Sequence, residues 1–257
     1  MQQDTVKQNY SDKGSIIMEM IYAEHYLSPG GADTTKTLLE LGDVADGLHV
    51  LDIGSGLGGA AFYLAAGKGC SVRGIDLMDS NVAEANRRAT LNGLADKVRF
   101  VAADATDLPF EDETFSLVWG QDAWCHVEDK RSLLVEARRV LEPGGSILFS
   151  DWLLRDQHSA DADEVRRVTA SPGIADAEMY LGLLDEFGFV LEAYLDTSDR
   201  VAASYVAVLE RLRGFEQDLC TRFGQKVFEI VLSKQQMVAD AFFSGLLGTG
   251  AFAARKA

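Results

Sequence analysis

Cysteine is scarce in this chain of 257 residues: Cys70, Cys125 and Cys220 are the only three, odd in number and far apart. That spacing excludes a metal knuckle and a paired disulfide framework, so the expected setting is reduced and cytoplasmic, with no metal site. Basic residues are also few, 24 Lys and Arg against 40 Asp and Glu. A formal charge of −16 with no basic stripe excludes an open nucleic-acid surface and reads as solubility or a saline habitat. No apolar run approaches the roughly 18 residues of a membrane span. The opening MQQDTVKQNYSDKG lacks the apolar centre of a signal peptide. Internal repeats and low-complexity tracts are absent as well. What is present is a hydrophobic fraction of 47%, enough for a sizeable core, in a length that suits one α/β domain with an elaboration. A small-molecule partner, no nucleic acid, no membrane, and a monomer or homodimer are expected.

From residue 49 to about 151, short apolar runs alternate with longer amphipathic ones, as a doubly wound parallel sheet requires. HVLDI, SVRGID, VRFVAAD, FSLVWG and GSILFSDW read as strands, with helices beginning near Gly59, Ser80 and Lys130. The third of these, LLVEARRVLEPGG, is expected to stop at Pro143 and the two glycines that follow. Residues 1–48 read as a helical cap: a helix over IIMEMIYAEHYL, the turn SPGG, and a second helix from Asp33 to Leu41. After Asp151 come a polar Asp-rich loop, a helix from Asp176 to Phe187 and the strand FVLEAYLD, closing a core that spans residues 49–198. Residues 199–245 give a long helical pattern, expected as a lid inserted before a last strand at 246–257.

The run VLDIGSGLGGA carries glycines at Gly54, Gly56, Gly58 and Gly59, so the backbone can approach a ligand where a side chain would collide. Asp76, about 20 residues on at the end of the next strand, is suited to ribose hydroxyls. Gly54, Gly56 and Gly59 alone satisfy G-x-G-x-x-G, which leaves a nicotinamide-dependent oxidoreductase open. Asp52, two residues before the first glycine, and Asp104, after the third strand in VAADATDLPF, extend the pattern.

Asp52, the glycine turn, Asp76 and Asp104, in that order, resemble the class I S-adenosylmethionine-dependent methyltransferases. The resemblance implies that the glycines lie against the methionine part of the cofactor, that Asp76 binds both ribose hydroxyls and that Asp104 contacts the adenine amino group, roles in which a carboxylate accepts hydrogen bonds. A closer resemblance, carried by QNYSDKG, EHYLSPGGADTTKTLLEL, VLDIGSGLGG and GQDAWCHVEDK, is to the phosphoethanolamine N-methyltransferases and the sarcosine and dimethylglycine N-methyltransferases. It implies a dyad of Tyr10 and His126 beside the reacting amine, with Asp122 holding that amine. It further places Ser28, Gly30 and Gly31 in a loop that closes on the cofactor, and Gln121 where the phosphoethanolamine group has an arginine. The implied cofactor contacts are Tyr26, Ser28, Gly54, Gly56, Asp76, Leu77, Asp104, Ala105 and Gln121, and S-adenosylhomocysteine is the implied product.

The residues suit that chemistry. Methyl transfer from a sulfonium needs an unprotonated amine in line with the carbon–sulfur bond, so positioning supplies much of the catalysis. A His–Tyr pair can accept or relay the proton an ammonium must lose near neutral pH, and Asp122 can orient the amine by a charge-assisted hydrogen bond. Ring faces favour cations, and Trp124 and Trp152, at strand ends, are the expected pocket walls. Tyr180, in AEMYLGLL, matches one of the tyrosines that hold phosphate in the phosphoethanolamine enzymes. VTASPGIAD has no tyrosine, however, and the tail FFSGLLGTGAFAARK offers no counterpart for their lysine. A dianionic phosphate without such partners is poorly held, which favours a smaller amine such as sarcosine or dimethylglycine. A substrate carboxylate would want an arginine, and Arg166, Arg167 and Arg200 are the candidates after the fifth strand. Carbon methylation of an isoprenoid or lipid-like alkene shares the same core and is the alternative within transferases.

Overall fold

A computed structural model describes residues 10–257. Residues 1–9, which include most of the stretch read for a leader and the start of the cap, lie outside the described residues. The chain runs α1 (Asp12–Ile21), α2 (Gly31–Leu41), β1 (His49–Ile53), α3 (Gly59–Lys68), β2 (Ser71–Asp76), α4 (Asp79–Leu91), β3 (Val98–Ala102) and β4 (Phe115–Gln121). A single 3-10 turn (Trp124–His126) then leads to α5 (Lys130–Val140), β5 (Leu141–Leu154), α6 (Ala160–Thr169), α7 (Ala177–Glu186) and β6 (Phe189–Asp196). Helices α8 (Ser198–Gly214), α9 (Glu216–Phe223) and α10 (Gln225–Phe243) precede the last strand, β7 (Leu247–Lys256).

Seven strands form one sheet in the order β3-β2-β1-β4-β5-β7-β6. The first five are mutually parallel, and β7 runs antiparallel between β5 and β6. Strand order reverses between β1 and β4, so their carboxyl ends splay apart and leave a crevice there. Helices cover both faces, which is why Val50, Leu51 and Ile53 of β1 are all buried despite pointing to opposite sides. Each such side chain contributes roughly 1.5–3 kcal/mol on burial.

Several local expectations need correction. The first helix ends at Ile21, and the rest of IIMEMIYAEHYL turns back on itself through an Ala23–Tyr26 bridge, with His25 at φ 70°. The Asp-rich segment after β5 contains α6, because Ser159 caps it by accepting from the Ala162 amide and Ala162, Val165 and Val168 supply a buried face. Helix α5 stops at Val140, before Pro143. Leu141 already pairs with Phe115, and the EPGG residues form an irregularity before pairing resumes at Leu117 with Ser146. The long helical pattern is three helices, broken at Phe215 and again at Gly224, the latter with φ 92°.

Helices α8 and α10 pack with α1, α6 and Trp152 into a separate apolar cluster at the crevice end of the sheet. Arg211 of α8 donates to the carbonyls of Ile21 and Tyr22, capping the last turn of α1. No helix among the described residues is long and apolar enough to cross a membrane.

Candidate active site

The turn between β1 and α3 is fixed by two amides, those of Gly54 and Ser55, both donating to the Ile75 carbonyl at 2.9 and 2.8 Å. A Cβ at Gly54 would sit 2.4 Å from the Ala123 Cβ and its φ is 84°, so the residue must be glycine on two grounds. Asp76 ties the turn to β2. One carboxylate oxygen accepts from the Gly56 amide at 2.9 Å, the other from the Met78 amide at 2.9 Å and Asn81 Nδ2 at 3.3 Å. Burial pushes the Asp76 carboxyl above its ordinary range, and those three donors partly offset it.

This turn borders a cavity of about 400 Å³. Asp76, Leu77, Asp104 and Ala105 line it from the β2 and β3 side, and Gln121 and Asp122 from β4. Tyr26 and Ser28 close it from the amino-terminal segment. The nine expected cofactor contacts are therefore on its wall, although Gly30 and Gly31 of the closing loop are not; this follows from the topology, since all but Tyr26 and Ser28 stand at carboxyl ends of adjacent parallel strands. Gln121 also pins α2 to the sheet, its side-chain amide donating to Gly31 O and accepting from Thr35 Oγ1, both at 2.8 Å. Asp52 lines the cavity too, buried to 1% exposure, with its Oδ2 lacking a hydrogen-bond partner among the described residues. Burial, with the nearby Asp76 charge, pushes its carboxyl up to about 7. An orphaned carboxylate oxygen beside a glycine cradle suits a ligand bearing ammonium donors, and with Asp76 and Asp104 the set of acceptors fits an adenosyl amino-acid cofactor.

Next to it lies a smaller cavity of about 70 Å³ that shares Tyr10, Leu27, Ser28, Asp122 and His126 with the larger one. The Tyr10 hydroxyl is 2.8 Å from His126 Nε2. His126 Nδ1 is 2.9 Å from the Ala170 carbonyl, which can only accept, so Nδ1 carries the proton and Nε2 accepts from Tyr10. Burial lowers His126 to about 4, the Lys130 charge adding to the effect against the Ala170 bond, so the imidazole is neutral at physiological pH. Burial likewise raises the Tyr10 hydroxyl well above its ordinary value.

Asp122 accepts from Ser150 Oγ at 2.7 Å and Ser28 Oγ at 3.0 Å. Burial pushes it up to about 6 in spite of those hydroxyls. Its φ is 52°; His25, on the wall of the larger cavity, lies at 70°, and Ala170, between Thr169 and Ser171 of the smaller one, at 54°. Non-glycine residues in this region cost about 1 kcal/mol or more each, borne by the surrounding packing.

Trp152 lines the smaller cavity, with its indole nitrogen buried and unpartnered among the described residues. Trp124 lines only the larger one, its Nε1 donating to Ile53 O at 3.2 Å and its ring stacked on Phe149. The expectation for Tyr180 is overturned. It is wholly buried, lines neither cavity, packs against Phe149 and Phe252, and donates to Asp151 Oδ2 at 2.6 Å. Arg166, Arg167 and Arg200 line neither cavity; they pair with Asp163, Glu164 and the Thr37 hydroxyl.

The cation that does reach the smaller cavity is Lys234 of α10, beside Gln235, whose Oε1 accepts from the Tyr22 hydroxyl at 3.1 Å. Lys234, Gln235 and Val238 share one helical face, so the helical period of KQQMVADAFF was the available signal.

Residues 51–149 match the model of a methyltransferase domain. Over 192 residues the chain is 32% identical to the 27-O-demethylrifamycin SV methyltransferase of Amycolatopsis mediterranei, an alignment covering 73% of this chain and 71% of that one. The chain belongs to the class I S-adenosylmethionine-dependent methyltransferases. This methyltransferase is also 28% identical over 247 residues to phosphoethanolamine N-methyltransferase 1 of Zea mays, covering 96% of this chain and 49% of that one. A solved structure of Haemonchus contortus phosphoethanolamine N-methyltransferase 2, in complex with phosphomonomethylethanolamine and S-adenosylhomocysteine, superposes with a TM-score of 0.90 at 25% identity, covering 100% of this chain and 60% of that one. The methyltransferase thus spans about half the length of the curated plant relatives it matches. Family membership replaces the nicotinamide reading that the glycines alone had left open.

Proposed function

We propose that this chain transfers a methyl group from S-adenosylmethionine to the nitrogen of a small amine that carries an anionic group, of the sarcosine, dimethylglycine or phosphoethanolamine kind. The observation that carries the reading is the meeting of Asp122, His126 and Tyr10 where the two cavities join. When bound, S-adenosylmethionine supplies an electrophilic methyl group on a sulfonium sulfur. Asp52, Asp76 and Asp104 would hold it along the larger cavity. The smaller cavity would hold the acceptor, with Asp122 accepting from its nitrogen. His126 Nε2, neutral and already hydrogen-bonded to Tyr10, can take the proton the amine gives up, directly or through the tyrosine hydroxyl. Helices α1 and α10 form the far wall as a cover that excludes water.

Lys234 supports an acceptor with an anionic group, and the cavity's small size and polar rim of Asp122, Gln235 and Lys234 disfavour an isoprenoid chain. Lys234→Met is therefore expected to raise the acceptor KM roughly tenfold, in keeping with one charge-assisted hydrogen bond, and to leave the donor KM within about twofold. Steady-state kinetics with each substrate varied in turn checks this; a rise in donor KM alone would move Lys234 to the cofactor.

The pH dependence follows from Asp122. Its carboxylate is the form that accepts from an amine and is lost as pH falls through about 6, so kcat/KM for the acceptor should drop on the acid side with a midpoint near 6. His126, neutral down to about 4, adds no limb in that range. Asp122→Asn should be slow at all pH values and lack the limb, and a limb that persists near 6 in that variant would assign it elsewhere. The reading itself is tested by offering labelled donor to a panel of sarcosine, dimethylglycine, glycine and phosphoethanolamine and following methyl gain by mass spectrometry. Transfer to one or more of these is expected. Transfer to none of them, with an alkene accepted instead, would establish the carbon alternative.

A further inference from the structure

Beneath the loop that carries His126 lies a charged group that touches neither cavity. Lys130, the first residue of α5, is only 4% exposed, and its ammonium donates to the Trp124 carbonyl at 2.7 Å and to the Val127 carbonyl. These are the carbonyls on either side of the Cys125–His126 pair. The Cys125 amide donates to Asp151 Oδ1 at 2.9 Å, and Asp151 Oδ2 accepts from Tyr180 at 2.6 Å. The Tyr180 ring lies 5.9 Å from the Lys130 nitrogen, within cation–π range. The Cys125 carbonyl in turn accepts from the Gly173 amide at 2.9 Å, where a Cβ on Gly173 would come within 2.1 Å of Val127 O. Backbone polar groups on both sides of His126 are thus held from below, two of them by one buried cation.

A buried ammonium and a buried carboxylate are an expensive way to hold a turn if packing alone is needed, because apolar residues of similar volume usually serve as well. The arrangement gains its use from what the turn carries. We propose that Lys130 is a positioning residue for His126, fixing the turn through the Trp124 and Val127 carbonyls so that the imidazole stays between Tyr10 and Ala170, with Asp151 and Tyr180 completing the support. The role rests on the reading of His126 as the proton acceptor. The titratable groups around the imidazole and across the smaller cavity from it are Tyr10 and Tyr22 from the amino-terminal segment, Asp122 and Cys125 from its own loop, Asp151 from β5, Lys130 from α5 and Lys234 from α10. The positive charges among these are Lys130 and Lys234, and that of Lys130 disfavours the imidazolium, so the ring rests neutral with Nε2 unprotonated.

The test is Lys130→Met, which keeps the stem and removes the charge. The chain has four histidines, so a proton NMR titration can follow His126 individually. The variant is expected to lower kcat roughly tenfold or more with donor KM within about twofold, and to move the His126 midpoint upward from about 4. Unchanged kcat with an unmoved His126 titration would overturn the proposal. If the single variant leaves Asp151 too costly to bury, Lys130→Met with Asp151→Asn restores charge balance. A folded double variant that remains slow supports the role, and one with wild-type turnover refutes it. His126→Ala run beside them separates the two claims. Wild-type turnover in that variant removes the proton-acceptor reading itself, whereas a slow His126→Ala with a fast Lys130→Met removes only the positioning role.

Discussion

Replacing His126 with alanine is expected to lower kcat by roughly 100-fold or more while S-adenosylhomocysteine affinity stays within about threefold. The imidazole reaches the site through Nε2, which accepts from Tyr10 at 2.8 Å, and its other nitrogen is committed to the Ala170 carbonyl. Removing the ring leaves Tyr10 without an acceptor and with a hydroxyl that burial holds far above its ordinary pKa, so the tyrosine cannot take the proton by itself. Tyr10→Phe should be milder, because Nε2 would still be present to receive the proton directly. Single-turnover kinetics with calorimetry on the same preparations checks both halves. A His126→Ala variant that loses product binding but retains its chemical rate would make the residue a wall rather than a base.

Asp76→Ala is expected to act in the opposite sense, weakening S-adenosylhomocysteine roughly 100-fold with little change in kcat at saturating donor. Hydrogen bonds from ligand hydroxyls to a carboxylate contribute about 1.5–3 kcal/mol each, and contacts present equally in ground and transition states appear in affinity rather than in kcat. Part of the loss would come from the turn itself, since Asp76 also holds the Gly56 and Met78 amides. Asp76→Asn, which keeps one acceptor oxygen, should fall between. Calorimetry decides it, and an unchanged affinity in Asp76→Ala would place the ribose elsewhere.

Legibility in the sequence follows the range of the interactions. The glycine turn and its acids are written within short spans, because a strand, a tight turn and a helix amino terminus are consecutive in the chain. Tyr10 and His126 are 116 residues apart, and only a likeness to known enzymes can join them before the fold does. That likeness misleads at Tyr180: a tyrosine at a matching position suggests a contact with substrate, whereas here it fills the space between Phe149 and Phe252 and serves Asp151. Lys234 escapes a search for a lysine in the last strand, because the cavity is reached from α10, one side of an amphipathic helix whose partner is fixed only by tertiary packing. Helix α6 resembles a loop in sequence because acidic residues crowd its first turn and its apolar face is only three residues wide. Asp52 stands out as part of a motif, but its unpartnered oxygen is visible only with the sheet assembled.

The deciding question is which atom receives the methyl group. Incubating the enzyme with a donor carrying an isotopically labelled methyl carbon and the panel of small anionic amines, then locating the label by NMR, measures this directly. The predicted result is label on an amine nitrogen, lost in His126→Ala. Label found on carbon or oxygen, with none on nitrogen, would contradict it.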